Sequence, residues 1–426
     1  MAEMHKRMLI TILLVMGLAA PKLLAGQGTP LSDRVEAVVI KGKSLPPAFL
    51  GAPIASYRVF AASGGRPMVI PMQIDECDDS GLIMVKQGPK AEKGDGLFHA
   101  RDELVFMARD AGALYTGTPA EGCPKTVTVT LTDSQTGAQG QVILAQCDHP
   151  PPLSPVSYVH YDPNTRTAIT DRYRLGWHMA PVYYYDYITV KDGPDLLDRL
   201  KVRCTVGKWN INYTFNEEHF HYQFIGFTQG PVRVFWKSVN YWSLGPLGKI
   251  PLPAYGTFYP EYVLLQDPMD ARFNPALFGL DLTVIIAHDL ALDRTRGYKL
   301  CVNVAPECIS LAAPLPADKV KALSEQNMSW GGVSGPEGAL ITHFVLDPKL
   351  NARVIGEFRD DDQFKNPPEY QVGSSPMIAF KMINWKNVKP AIYDLTFYHF
   401  FLDHYSIPEF ERFDRMVTSP LAVSAK

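Results

Sequence analysis

The chain has 426 residues, 46% of them hydrophobic and 20% charged, and a formal net charge of −3. That balance excludes disorder for the bulk of the chain and gives no electrostatic basis for binding nucleic acid. Abundant Tyr and Phe (20 and 21) favour strands.

The first 28 residues begin with a basic end, His5-Lys6-Arg7. An apolar run from Met8 to Ala20 follows, then small residues around Ala25-Gly26. This is the anatomy of a secretory signal peptide, and the run is shorter than the roughly 20 residues that span a bilayer. The mature chain is expected to be exported, to the periplasm, the cell surface or the medium, with no transmembrane segment.

Residues 29–149 read as a small β-sandwich domain. Strand-like segments fall at 35–40, 57–61, 68–74, 103–108, 126–131 and 141–144. The alternation Thr126-Val127-Thr128-Val129-Thr130-Leu131 predicts a half-buried strand with Val and Leu inward. Between the apolar runs at 68–70 and 104–107 lies an acidic, Gly-containing stretch. It either turns outward as a solvated connection or holds a hard cation such as Ca²⁺, with Asp75, Asp78 and Asp79 as oxygen ligands. The spacing is not that of an EF-hand.

Six Cys in an exported chain permit three disulfides. Cys123 and Cys147 lie at opposed ends of the predicted 126–144 hairpin, and Cys301 and Cys308 flank a short loop, so both pairs are expected to be bridged. The state of Cys77 and Cys204 is open: they pair, or they are buried thiols.

The Pro cluster at 150–156 is expected to be a linker, because Pro cannot donate to a sheet and stiffens the chain. Residues 157–426 then read as a large β-rich domain, most economically a big β-sandwich. Strand candidates fall at 183–190, 201–206, 210–215, 219–227, 232–239, 282–287, 300–304, 341–346, 377–382 and 391–399. Helices are few and short. They are placed at 317–326 and 406–416, the latter with Ser406 as cap and Pro408 in the first turn; 194–200 reads as one or two further turns. The fold class is therefore mainly β.

Three clusters point to chemistry. In a strand, Glu217, His219 and His221 share one face, with Phe220 and Tyr222 on the other. Two imidazoles beside a carboxylate suit proton transfer or metal binding, or stand as an ordinary exposed face. At 398–405, Asp403 is placed to orient His399 or His404, although the aromatic density there equally suggests core. Tyr184, Tyr187, Trp236 and Trp242 offer faces on which sugar rings stack, or else belong to the core. No Walker A loop, G-x-S-x-G, H-E-x-x-H or G-x-G-x-x-G is present.

The runs Pro71-Met72-Gln73-Ile74-Asp75 and Asp102-Glu103-Leu104-Val105-Phe106, with Gly230-Pro231-Val232-Arg233 further on, resemble exported bacterial proteins related to exo-rhamnogalacturonan lyases and neighbouring families of unknown function. The resemblance implies a galactose-mutarotase-like large sandwich and a carbohydrate-related role. Two functions follow as expectations. One is binding or acting on polysaccharide, as a lyase or hydrolase in its enzymatic form. The other is a non-catalytic envelope or extracellular structural subunit packed against protein partners.

Overall fold

The computed structural model describes residues 30–115, 122–178, 185–209, 211–243, 248–313, 315–324, 326–359 and 377–426. The segment expected to be a signal peptide and Tyr184 lie outside these residues. The fold is mainly β, and the described residues form five antiparallel sheets.

Two of them make the expected N-terminal sandwich. A five-stranded sheet contains the hairpin Lys125–Thr132/Gln139–Gln146, and Val127, Val129 and Leu131 are buried as the alternation requires. Its turn is held by Asp133, whose carboxylate accepts from the Gln135 and Thr136 amides, with Gly137 at φ 74°. A three-stranded sheet (Ala37–Lys41, Glu103–Met107, Gln73–Asp75) packs over it through Val38, Ile40, Leu104 and Phe106. The segment predicted as one strand at 68–74 is two, Arg66–Val69 and Gln73–Asp75, in different sheets. Pro71 between them has no N–H for a continuous ladder, and there the chain passes from one layer to the other. Disulfides join Cys123 to Cys147 and Cys301 to Cys308; Cys77 and Cys204 are free thiols.

The second sandwich is larger. Its five-stranded sheet runs in the order Ile211–Phe215, Leu197–Lys208, Asp281–Leu290, Met377–Ile383, Arg353–Arg359. A nine-stranded sheet, with Tyr262–Asp270 and Ile392–Leu402 side by side near its middle, faces it. Phe344, Phe380 and Phe397 interdigitate between the layers, Phe344 and Phe397 stacked at 4.2 Å. The turns expected at 194–200 are absent: from Leu197 this stretch is strand, with a register irregularity between Leu197 and Arg199. The two longer helices form where expected, Ala317–Leu323 and Ile407–Thr418, the second capped by Ser406 Oγ accepting from the Glu409 amide.

The expected boundary at 150–156 does not divide the strands cleanly. The last strand, Ala422–Ala425, returns to pair with Lys125–Thr132 at the edge of the N-terminal sheet. One cluster of buried side chains contains Val35, Val105 and Met107 together with Tyr259, Phe400, Phe410 and Phe413, so the two sandwiches share apolar core. The linker is fastened too, with Arg58 Nε donating to the Pro151 carbonyl at 2.6 Å.

Candidate functional site

The acidic stretch of the first sandwich turns out to be architecture. Gln73 Oε1 accepts from the Val232 and Arg233 amides at 3.0 and 2.9 Å. The buried Arg233 guanidinium donates to Asp75 at 2.8 Å and to Glu103 at 2.5 Å. The Arg233 and Lys41 cations hold the Glu103 carboxyl below the usual carboxylate range against its own desolvation. The three short motifs singled out in the sequence thus meet in one lock between the sandwiches. The structure gives each of the three expected Ca²⁺ ligands a partner of its own. Asp75 is committed to Arg233 and Gln73. Asp78 accepts from the Ser80 and Leu82 amides, and Asp79 is fully exposed, 3.7 Å from Arg101. Among the described residues no group of three His, Cys, Asp or Glu is placed to hold a metal ion.

The Glu217-His219-His221 face does not form either. Glu217–His219 is a turn of 3-10 helix and the strand begins only at Phe220, so the expected alternation starts too late. Glu217 accepts from the Val202 amide at 2.5 Å. The His219 ring lies between Asn216 Oδ1 (2.8 Å) and the Tyr213 hydroxyl (3.0 Å), while His221 is exposed. The aromatic candidates divide. Trp236 is core, stacked on Trp177 at 4.3 Å. Tyr187 stacks on His178 at 4.0 Å. Trp242 is half-buried and lines a cavity between the sheets. Asp403 pairs with Lys191 and Arg172 at the surface and orients no imidazole.

What sequence reasoning missed lies on the outward face of the five-stranded sheet of the large sandwich. Strand alternation places Arg199, Lys201 and Arg203 on that face, while Leu200, Val202 and Cys204 point between the sheets. The neighbouring strands add Asp289, Lys381 and Glu357 on the same side. Lys201 pairs with Asp289 at 2.5 Å and Lys381 with Glu357 at 3.1 Å. Glu217 reaches this cluster from the end of the adjoining strand, 3.8 Å from Arg199, and its burial raises its carboxyl. Between the charges the sheet floor is small and apolar, Ala287 and Ala379. Arg199, Lys201, Arg203, Asp289 and Glu357 are all buried. The alternation Arg-x-Lys-x-Arg at 199–203 was the available signal. A helical reading of 194–200 hid it.

A second unforeseen cluster lies between the sheets. The Tyr185 hydroxyl sits 2.5 Å from His288 Nε2 and 2.8 Å from His399 Nε2, and His399 Nδ1 lies 2.9 Å from Thr342 Oγ1. Desolvation lowers His288 to about 4, and desolvation with the neighbouring His288 holds His399 well below its ordinary value, so both imidazoles are neutral at pH 7. The adjoining space is only about 20 Å³, enough for one water. This is a core network, with no room for a substrate.

Among the described residues no helix is long and apolar enough to cross a membrane. No family model matches the chain, and no curated protein sequence matches it. Among solved structures it is similar to an α-mannosidase from Enterococcus faecalis V583, at 10% identity and a TM-score of 0.50, over 92% of this chain and 44% of that one. A protein in glycosyl hydrolase family 38 from Enterococcus faecalis is similar at 10% identity and a TM-score of 0.49, over 92% and 45%. The chain spans less than half the length of either, and the likeness to the α-mannosidase is one of fold.

Proposed function

We propose that this is an exported protein that binds or acts on carbohydrate, and that its saccharide is an acidic one held by the charged outer face of the five-stranded sheet. The observation that carries the reading is the row Arg199, Lys201, Arg203 beside Asp289, Glu217 and Glu357 on one sheet face with an Ala287/Ala379 floor. Buried charges are expensive, and where several gather on one face with a perturbed carboxyl they mark a functional-site candidate. Guanidinium forks suit the carboxylates of uronic acids, and neighbouring carboxylates suit sugar hydroxyls. By its name, the α-mannosidase that shares the fold is a carbohydrate-processing enzyme, which supports the reading by analogy of fold. In the enzymatic form, a lyase or hydrolase, Glu217 supplies the acid, because burial keeps its proton to higher pH.

Calorimetric titration of the mature protein with uronate-containing and neutral oligosaccharides tests this. Binding of the acidic ligands alone, weakened by Arg203→Ala while the variant stays folded, is the expected result. Absence of binding to both, or a loss of stability with no change in binding, would assign the cluster to holding the fold.

A further inference from the structure

The inner face of the same sheet carries a different chemistry. Between the two layers of the large sandwich lies a cavity of about 150 Å³. Its walls are mainly Val202, Leu282, Val284, Met269, Met382 and the rings of Trp242 and Trp385, with Asp267 and Asp270 also on the lining. Protein interiors close voids of this size by packing, and an apolar cavity of about 150 Å³ takes up small apolar molecules.

The cavity does not stand alone. Val202 and Cys204 line it, and the same face of their strand continues through Val206 and Lys208. On the edge strand Ile211–Phe215 the partners of Cys204, Val206 and Lys208 are Phe215, Tyr213 and Ile211. Directly opposed residues point to the same side, so an apolar row runs from the cavity outward. Phe215 packs edge-on against the cavity-lining Trp242 at 4.7 Å, which joins row to cavity. Further out, Tyr213 is 55% exposed, Ile211 79% and Trp209 85%. A second apolar lip comes from the turn Pro275–Phe278: Pro275 lines the cavity, and Phe278 is 79% exposed. The two lips are neighbours, since a Cβ built on Gly279 would lie 3.7 Å from Lys208 Nζ. Trp209 is held at φ 58°, a conformation that bulky side chains rarely adopt, so an exposed indole is kept at the tip at a conformational cost. The Lys208 ammonium lies 5.4 Å from that ring.

We propose that the cavity and the row leading to it form a binding site for a single-chain anionic amphiphile. The alkyl end lies between the sheets, the chain follows Phe215, Tyr213 and Ile211, and the anionic head meets Lys208. An apolar pocket that opens onto an exposed apolar path ending at a cation is complementary, group by group, to such a molecule. The site is separate from the charged outer face and does not depend on a saccharide binding there.

The probe is a terminally brominated dodecanoate, whose bromine quenches nearby indole fluorescence; Trp242 and Trp385 report from the cavity wall. Saturable quenching is expected at concentrations below micelle formation. Val284→Phe fills the cavity and weakens binding by roughly tenfold or more, the loss expected when a ring occupies a ligand's place. Ala271→Leu fills it from another wall and serves if Val284→Phe does not fold. Lys208→Gln weakens the brominated acid but not the matching brominated alcohol, and replacing the exposed Lys43 of the first sandwich by Gln leaves both unchanged. Quenching that rises without saturation, that survives both filling variants, or that is matched only by benzene with no affinity for the chain would overturn the proposal.

Discussion

Lys201 Nζ lies 2.5 Å from Asp289 Oδ2, and neither side chain is exposed to solvent. Their strands pair in the sheet that carries both candidate sites, so a fully buried ion pair belongs to the acidic-saccharide face itself. Removing one partner takes this ion pair away from the other buried charge. Lys201→Met is predicted to cost about 3–5 kcal/mol in urea unfolding, and Lys201→Met with Asp289→Leu to recover most of that loss. A double variant as unstable as the single one would show that the two charges do not act as a pair.

The buried imidazoles set a pH dependence. Burial holds folded His288 down at about 4 and holds folded His399 well below the ordinary histidine value, whereas an unfolded histidine titrates near 6.5. Between those limits the unfolded chain binds protons that the folded one refuses, so stability falls as pH drops below 6.5 and continues to fall towards 4. Two such groups give a slope of up to ~2.7 kcal/mol per pH unit over that window. Replacing both by Gln is predicted to flatten the curve there. Urea midpoints measured from pH 7.5 to 4.5 decide it, and parallel curves for wild type and variant would remove these residues as the cause.

Much of the fold was legible because strand alternation writes itself into sequence. Val127, Val129 and Leu131 announced their own burial, and Ser406 with Pro408 announced a helix start. The strand Lys249–Phe258 was hidden by Pro251 and Pro253. These are tolerated because its ladder to Tyr262–Asp270 covers only Tyr255–Phe258, leaving the proline stretch without a partner on that side. The site was less legible for a different reason. Glu217, His219 and His221 are two apart, but a 3-10 turn breaks the period on which the shared face depended. The residues that do share a face, Arg199, Lys201, Arg203, Asp289 and Glu357, come from three separate stretches of chain. Only the register brings those stretches together.

The two disulfides close loops of different length, 24 residues for Cys123–Cys147 and 7 for Cys301–Cys308. Loop-closure entropy then makes the first worth roughly 3.5 kcal/mol and the second roughly 2.4 kcal/mol. Replacing each pair by Ser and comparing thermal unfolding should rank them in that order. Equal losses would mean that native-state packing around the bridges, rather than restriction of the unfolded chain, governs their contribution.

The C-terminal strand makes the most exposed structural prediction. Ala422–Ala425 caps the edge of Lys125–Thr132, and Lys426 exchanges two backbone hydrogen bonds with Thr128, each 2.9 Å. Just before it, the buried Arg34 donates to the Ser419 carbonyl, and Arg415 pairs with Asp33 at 2.7 Å. The first sandwich therefore completes its sheet only with residues from the other end of the chain. Ending the protein at Ser419 removes the ladder bonds and the packing of Leu421 on the first core, and bares the edge of the Lys125–Thr132 strand from Thr128 to Thr132. At roughly 1 kcal/mol per backbone bond the loss is about 2–4 kcal/mol, and an uncovered edge invites pairing with another chain. Urea unfolding and light scattering of the shortened protein should show both lower stability and association. Wild-type stability with no association would mean that the returning strand is ornamental, and that the first sandwich folds as a unit independent of the second.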